Sequence, residues 1–121
     1  MDEDDEKLGP FEVYDPQERY DERGDLVCCI YGIFLKSHSC LFYVGSTTDL
    51  YRKVQQHKCY MSNPNRKDFH RPLYRNMRFN DFDDYEFRIL EKVVYLDQAQ
   101  MTDRKNYYIK ELDPMYNHKR A

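Results

Sequence analysis

A small α/β domain, with a mainly antiparallel three-stranded sheet flanked by helices, is predicted by three features of the sequence. Two short apolar runs, Val27 to Leu35 and Leu41 to Gly45, bracket the polar stretch Lys36 to Ser39. Runs rich in Ile, Val, Phe and Tyr around a four-residue turn read as a β-hairpin. The segments opening at Leu50 and closing at Leu112 carry apolar residues at helical spacing, and between them Tyr85 to Val94 alternates as a strand does. The expected order is β-β-α-α-β-α.

Each element has a local reason. Gly45 closes the second strand where a Cβ would obstruct a close backbone approach or a special φ, and Ser46, Thr47, Thr48 and Asp49 offer N-cap oxygens to the helix that follows. In that helix Leu50 and Val54 share one face, while Lys53 and His57, four apart, form a neighbouring stripe. Met61 to Asp68 is a loop by its Ser, Asn and Pro content. His70 to Phe79 reads as a short basic helix with Leu73 and Met77 inward. In the third strand Tyr85, Phe87, Ile89 and Glu91 are placed on one side, with Glu86, Arg88 and Leu90 on the other. The last helix, 96 to 112, opens at Asp97, turns Met101, Tyr108, Ile109 and Leu112 to the core, and stops at Pro114.

Length and charge bound the function. A chain of 121 residues, 40% hydrophobic and 34% charged, suffices for one core. No apolar run approaches the roughly 20 residues that cross a bilayer. The acidic N-terminus resembles neither a signal nor a transit peptide, so an intracellular, cytoplasmic or nuclear setting without membrane contact is expected. The net charge of −3 conceals an asymmetry. Residues 1–25 hold eleven acids against Lys7, Arg19 and Arg23, a balance of −8, and residues 26–121 hold eleven acids against sixteen bases, a balance of +5. The chain divides accordingly into an acidic, partly disordered arm, 1–25, anchored by Phe11, Tyr14 and Tyr20, and a basic domain, 26–121. The arm reads as a solvating tail, or more sharply as a phosphate mimic over the basic surface, or as a contact for a protein partner. Four cysteines beside core elements, without a CxxC pair, fit reduced thiols better than disulfides or a zinc site built from Cys28, Cys40, Cys59 and a histidine.

Two phenols (Tyr31, Tyr43), a cation (Lys53) and an imidazole (His57) converge at the strand-to-helix junction, and here the sequence resembles the GIY-YIG nuclease family. The tripeptides Ile30 to Gly32 and Tyr43 to Gly45 match its two signature motifs. Asp49 to His57 matches its helix segment, and His70 to Phe79, Tyr85 to Val93 and Tyr107 to Asn117 match its remaining blocks, in order. The resemblance implies a tyrosine acting as base or water-positioner, a guanidinium neutralising developing phosphoryl charge and a carboxylate holding a divalent ion, roles that suit phosphodiester chemistry. It places Tyr31, Tyr43, Lys53, His57 and Lys105 at the catalytic positions and gives Gly45 and Asn117 structural roles.

Two of those positions depart from the pattern. Lys53 stands where the family has its catalytic arginine, with Arg52 one place early, and Lys105 stands where it has its metal-binding glutamate. A lysine neutralises phosphate as a point charge without the bidentate fork. It cannot ligate a hard cation at all. No carboxylate on the same helix face replaces it, so no metal ligand is assigned, and a rescuing ligand would have to come from elsewhere, such as Glu91 or Glu86 of the third strand, or from another chain.

The first functional reading is therefore a nucleic-acid-binding domain of nuclease type, DNA ahead of RNA, with metal-dependent cleavage lost or much reduced and no cofactor. Arg52, Lys58, Arg66, Lys67, Arg71, Arg75 and Arg78 would contact phosphates. The second reading is an active endonuclease with a relocated ligand for a metal such as Mg²⁺, or a metal-independent route. The third is a protein-interaction module.

Overall fold

A computed structural model describes residues 11–37, 40–93 and 97–117. Four strands, β1 (Glu12–Val13), β2 (Cys29–Leu35), β3 (Cys40–Thr47) and β4 (Tyr85–Lys92), form one antiparallel sheet in the order β1-β4-β2-β3. Three α-helices accompany it: α1 (Leu50–Ser62), α2 (Pro72–Met77) and α3 (Gln98–Leu112). Short 3-10 turns at Lys67–His70 and Phe82–Asp84 precede α2 and β4. The expected β-β-α-α-β-α order is present, with one strand added in front. Strand β3 also runs past Gly45 to Thr47, so that glycine lies within the strand instead of closing it.

The added strand corrects the expected count of three. Glu12 and Val13 pair with Ile89 and Arg88 of β4, and the Tyr14 N–H donates to the Phe87 carbonyl at 2.8 Å. Tyr14 is buried on one face of the sheet while Phe11 packs against the other, so the lead-in straddles the edge. A two-residue strand inside an acidic stretch carries too little alternation to be read from sequence. Tyr20, the third expected anchor, is 55% exposed. The acidic residues 1–10 and the turn residues His38 and Ser39 lie outside the described residues.

Helices α1 and α2 cover one face of the sheet, over Tyr31, Ile33, Phe87 and Ile89. Helix α3 covers the other, setting Tyr108, Ile109 and Leu112 against Ile30, Phe34, Leu41, Val44 and Leu90. Caps fix both long helices. The Asp49 carboxylate accepts from the Arg52 N–H at 3.2 Å, and Asp97 and Gln100 close a reciprocal capping box on α3.

Two β-bulges decide which side chains share a face. Ile33 pairs with Tyr43 and Phe34 with Leu41, leaving Phe42 as the extra residue, so Phe42 and Tyr43 both join the α1 face. Tyr31 pairs with Ile89 and Ile30 with Glu91, leaving Leu90 extra. This second bulge turns Glu91 to the α3 face, where it meets Arg104 and Tyr108. Strict alternation had put Glu91 beside Phe87 and Ile89, and the inserted residue reverses that placement.

Candidate functional site

Beneath α1, a phenol, an imidazole and a second phenol form a continuous hydrogen-bonded line. The Tyr31 Oη lies 2.7 Å from His57 Nε2, and His57 Nδ1 lies 2.8 Å from the Tyr74 Oη. All three side chains are buried. The line arises because His57 falls in the inward stripe of α1 with Leu50, Val54 and Met61, not in the flanking stripe that the Lys53 spacing suggested. Helix α2 crosses above it and delivers Tyr74.

Burial forces a single charge state on the imidazole. Desolvation, followed by the nearby Lys53 and Arg71 cations, lowers its pKa from 6.5 to about 3. A neutral imidazole has one N–H, so one ring nitrogen donates and the other accepts. The two phenols keep their protons, since burial raises both well above the ordinary tyrosine range, with each further raised by Tyr43. The line is thus a directional hydrogen-bonded relay, in which one phenol donates to the imidazole and the other accepts from it, with no net charge in the core.

Tyr43 is the half-buried member. Its ring centre is 6.4 Å from that of Tyr31 and 5.7 Å from that of His57. The Arg71 guanidinium lies 5.9 Å from the Tyr43 ring and 5.6 Å from that of Tyr74. Lys53, half-buried, donates from Nζ to Gln56 Oε1 at 2.9 Å. Tyr31, Tyr43, Lys53 and His57 therefore meet, joined by Arg71, which the sequence reading placed on a phosphate-tracking segment, and by Tyr74, which it did not single out. Tyr74 follows the inward Leu73 in the LYRNM segment. Its role depends on α2 crossing α1, which no local pattern reveals.

Gly45 explains how a tyrosine ring fits between the strands. Gly45 pairs with Tyr31 across the hairpin, and the Tyr31 ring occupies the space a side chain would need. The close-approach reason thus applies, and the left-handed φ reason does not, since Gly24 is the glycine with a positive φ among the described residues.

Lys105 is half-buried in the sheet-facing stripe of α3, between Met101 and Ile109. Its ammonium is not one of the charges acting on His57. The strand carboxylates that could replace the family's glutamate are engaged on this α3 side. Glu86 is bonded to Arg88 Nε. Glu91 accepts from Arg104 Nη2 at 2.6 Å and from Tyr108 Oη at 2.9 Å, and the Arg104 bond holds its pKa below the usual value. Among the described residues no group of three His, Cys, Asp or Glu side chains could hold a metal ion. All four cysteines are unpaired. The donor set does not fit a divalent cation.

The remaining cations differ in their freedom. Arg52, Lys58, Arg66, Lys67 and Arg75 are exposed, with Lys58 over Phe82 and Arg66 over the Tyr60 ring at 4.6 Å. Arg78 is an internal clamp. Its Nη1 donates to the carbonyls of Met61 and Phe69 at 3.0 and 2.9 Å, and its guanidinium lies 3.7 Å from the Phe69 ring centre. Arg19 reaches Asp49 Oδ2 at 2.9 Å, so the acidic lead-in is tied to the N-cap of the helix that carries Lys53 and His57.

Asn117 holds the open edge of β3. Its Oδ1 accepts from the Val44 N–H at 2.6 Å and its Nδ2 donates to the Val44 carbonyl at 2.8 Å, substituting for a neighbouring strand. The Tyr116 N–H continues the line to the Phe42 carbonyl at 2.8 Å. Asn117→Ala removes both side-chain bonds next to Tyr43. Urea unfolding is expected to show a loss of about 1–2 kcal/mol; an unchanged midpoint would mean that water replaces the amide.

Known proteins share this fold. No curated protein sequence matches the chain. Two solved structures do. The catalytic domain of the homing endonuclease I-TevI is 26% identical, with a TM-score of 0.59 over 71% of this chain and 88% of that one. A glutamate-to-alanine mutant of the catalytic domain of the intron endonuclease I-TevI is also 26% identical, with a TM-score of 0.60 over 79% and 97%. No helix among the described residues is long and apolar enough to cross a membrane. A family model of the GIY-YIG catalytic domain matches residues 27–118, the span that holds both tyrosine motifs, the relay and the Asn117 clip, and the chain belongs to that endonuclease family.

Proposed function

We propose that this GIY-YIG domain is an intracellular nucleic-acid-binding module, on DNA before RNA, whose metal-dependent cleavage is lost or much reduced. The reading is carried by Lys105, at the position where the family resemblance implies a metal-binding glutamate, with Glu86 and Glu91 both committed to arginines. Coulombic contact with phosphate needs no ion, and Lys53, Arg71 and Lys105 are suited to it. In this reading Tyr43, the partly exposed phenol, meets the backbone of the nucleic acid, while the buried Tyr31 and Tyr74 position it through His57. The exposed Arg52, Lys58, Arg66, Lys67 and Arg75 extend the contact along the strand. Residues 26–121 act as the binding unit, and the arm modulates it or meets a protein partner.

A second reading is favoured by one feature, the intact Tyr31–His57–Tyr74 relay beside the Arg71 guanidinium. Such a set can move a proton and neutralise phosphoryl charge without a bound ion, which suits a metal-independent endonuclease. Binding and nicking assays decide between the two. Under the first reading, affinity for a short duplex falls steeply with salt, survives chelator, and drops on Lys105→Glu with the salt slope reduced by about one unit. Plasmid stays supercoiled with or without Mg²⁺ or Mn²⁺. Nicking that persists in chelator and vanishes in Tyr43→Phe would install the second reading instead. Absence of nucleic-acid binding at low salt would leave the protein-interaction alternative.

A further inference from the structure

Phe79 holds an apolar ring in water. At 87% exposure it is the most open large hydrophobic side chain among the described residues, although phenylalanine is among the residues most often buried. Its backbone is fixed all the same. The Phe79 N–H donates to the Asn76 carbonyl at 3.0 Å, the Arg78 N–H to the Tyr74 carbonyl at 3.1 Å and the Asn80 N–H to the Met77 carbonyl at 3.3 Å. Asn80 Nδ2 then donates to Tyr85 Oη at 3.0 Å. The turn that ends α2 is pinned from both sides, so the ring is presented by an ordered scaffold.

The surroundings supply charge. Arg75, Arg78 and Phe79 line a shallow open recess, with Arg78 held by its carbonyl bonds and Arg75 free to reach outward. Arg71, at the other end of the helix, lies over Tyr43 and Tyr74. Arg71 is the extended N-cap of α2, Arg75 lies in its last turn, and Phe79 follows its C-cap Arg78. The six residues of α2 rise about 9 Å, or roughly two to three base steps at 3.4 Å each. The segment thus leads from the tyrosine site through an exposed cation to a bare aromatic face.

We propose that Phe79 is a stacking platform for an unpaired base, and that the preferred substrate is nucleic acid carrying an unpaired nucleotide a few steps from the phosphate held at Tyr43 and Arg71. The proposal rests on the nucleic-acid reading above. A nucleotide brings the π-face that covers Phe79 together with the phosphate that neutralises Arg75. An apolar protein surface would cover the ring only by desolvating the arginines without compensation.

The test uses the full chain and two labelled oligonucleotide substrates, a fully paired duplex and the same duplex with a single-stranded extension bearing 2-aminopurine at its first unpaired position. Phe79→Ala is expected to weaken binding of the extended substrate by roughly 5- to 150-fold, the range for loss of one base–aromatic stack, and to leave the paired duplex within about twofold. Phe79→Trp should restore it, and the 2-aminopurine signal should change on binding to the wild-type chain but not to Phe79→Ala. Salt-dependent binding of both substrates that Phe79→Ala leaves alone, or weakens equally, overturns the stacking role and spares the nucleic-acid reading. Failure of the wild-type chain to bind either substrate overturns both. A Phe79→Ala chain that sediments as a smaller species with unchanged affinity gives the ring to a second copy and overturns the proposal.

Discussion

Acidification from pH 7 to pH 5 is expected to cost the folded domain about 2 kcal/mol through His57 alone. In the unfolded chain this imidazole titrates near 6.5, whereas burial, Lys53 and Arg71 hold it at about 3 in the fold. Below 6.5 the unfolded state therefore binds the proton and the folded state does not, so stability is fully present above 6.5 and drains as the pH falls towards 3. A displacement of that size corresponds to roughly 5 kcal/mol over the whole window, of which about 2 kcal/mol has gone by pH 5. Glu91, whose pKa is lowered from 4.5 by Arg104, gives up its contribution only below that value. The chain has no tryptophan, so urea unfolding is followed by far-ultraviolet circular dichroism at the two pH values, for the wild type and for His57→Gln. The variant starts less stable, since Tyr31 and Tyr74 lose their imidazole partner, but its stability should change far less between the two conditions. Equal losses in both proteins would show that His57 is not held neutral by the fold.

The same histidine marks how far sequence reasoning reaches. The Lys53-to-His57 spacing located both residues on the first helix, and the paired tyrosine motifs located the hairpin, because each is a local pattern of period 2 or 3.6. What the sequence could not disclose was set by contacts between elements. Whether His57 points inward depends on the sheet beneath it, and Tyr74 becomes its partner only when α2 crosses α1. Strand alternation failed at Leu90 for a related reason. A bulge is a mismatch of length between two paired strands, so neither strand alone announces it. Arg78 shows the converse limit: its charge fits a phosphate-tracking stripe, yet its guanidinium satisfies the carbonyls of Met61, at the end of α1, and Phe69, and stacks on the Phe69 ring. The edge strand β1 escaped because two residues in an acidic lead-in bear no period at all.

Gly45→Ala is expected to destabilise the domain by roughly 2–5 kcal/mol, a large penalty for one methyl group, because of what lies opposite. An added Cβ would sit 2.5 Å from Tyr31 Oη, 2.6 Å from Cζ and 2.8 Å from Cε1. The Tyr31 ring is 1% exposed and wedged against Tyr43, His57 and Phe87, so it cannot swing aside without leaving His57 Nε2 unpaired. Overpacking accounts for about 1–3 kcal/mol and the orphaned buried group for a similar amount. At Gly32 the new Cβ would meet Phe34 Cε1 at 2.9 Å and Leu41 Cδ1 at 3.0 Å, and the flexible Leu41 terminus can yield, so Gly32→Ala should cost less. A double-mutant cycle isolates the cause. Tyr31→Leu removes the ring that the methyl group meets, and in that background Gly45→Ala should fall to within about 0.5 kcal/mol of neutral, a coupling at the upper end for residues in contact. An undiminished penalty in the Tyr31→Leu chain would move the requirement for glycine from the tyrosine ring to the strand backbone, and with it the reason that the second signature motif ends in this residue.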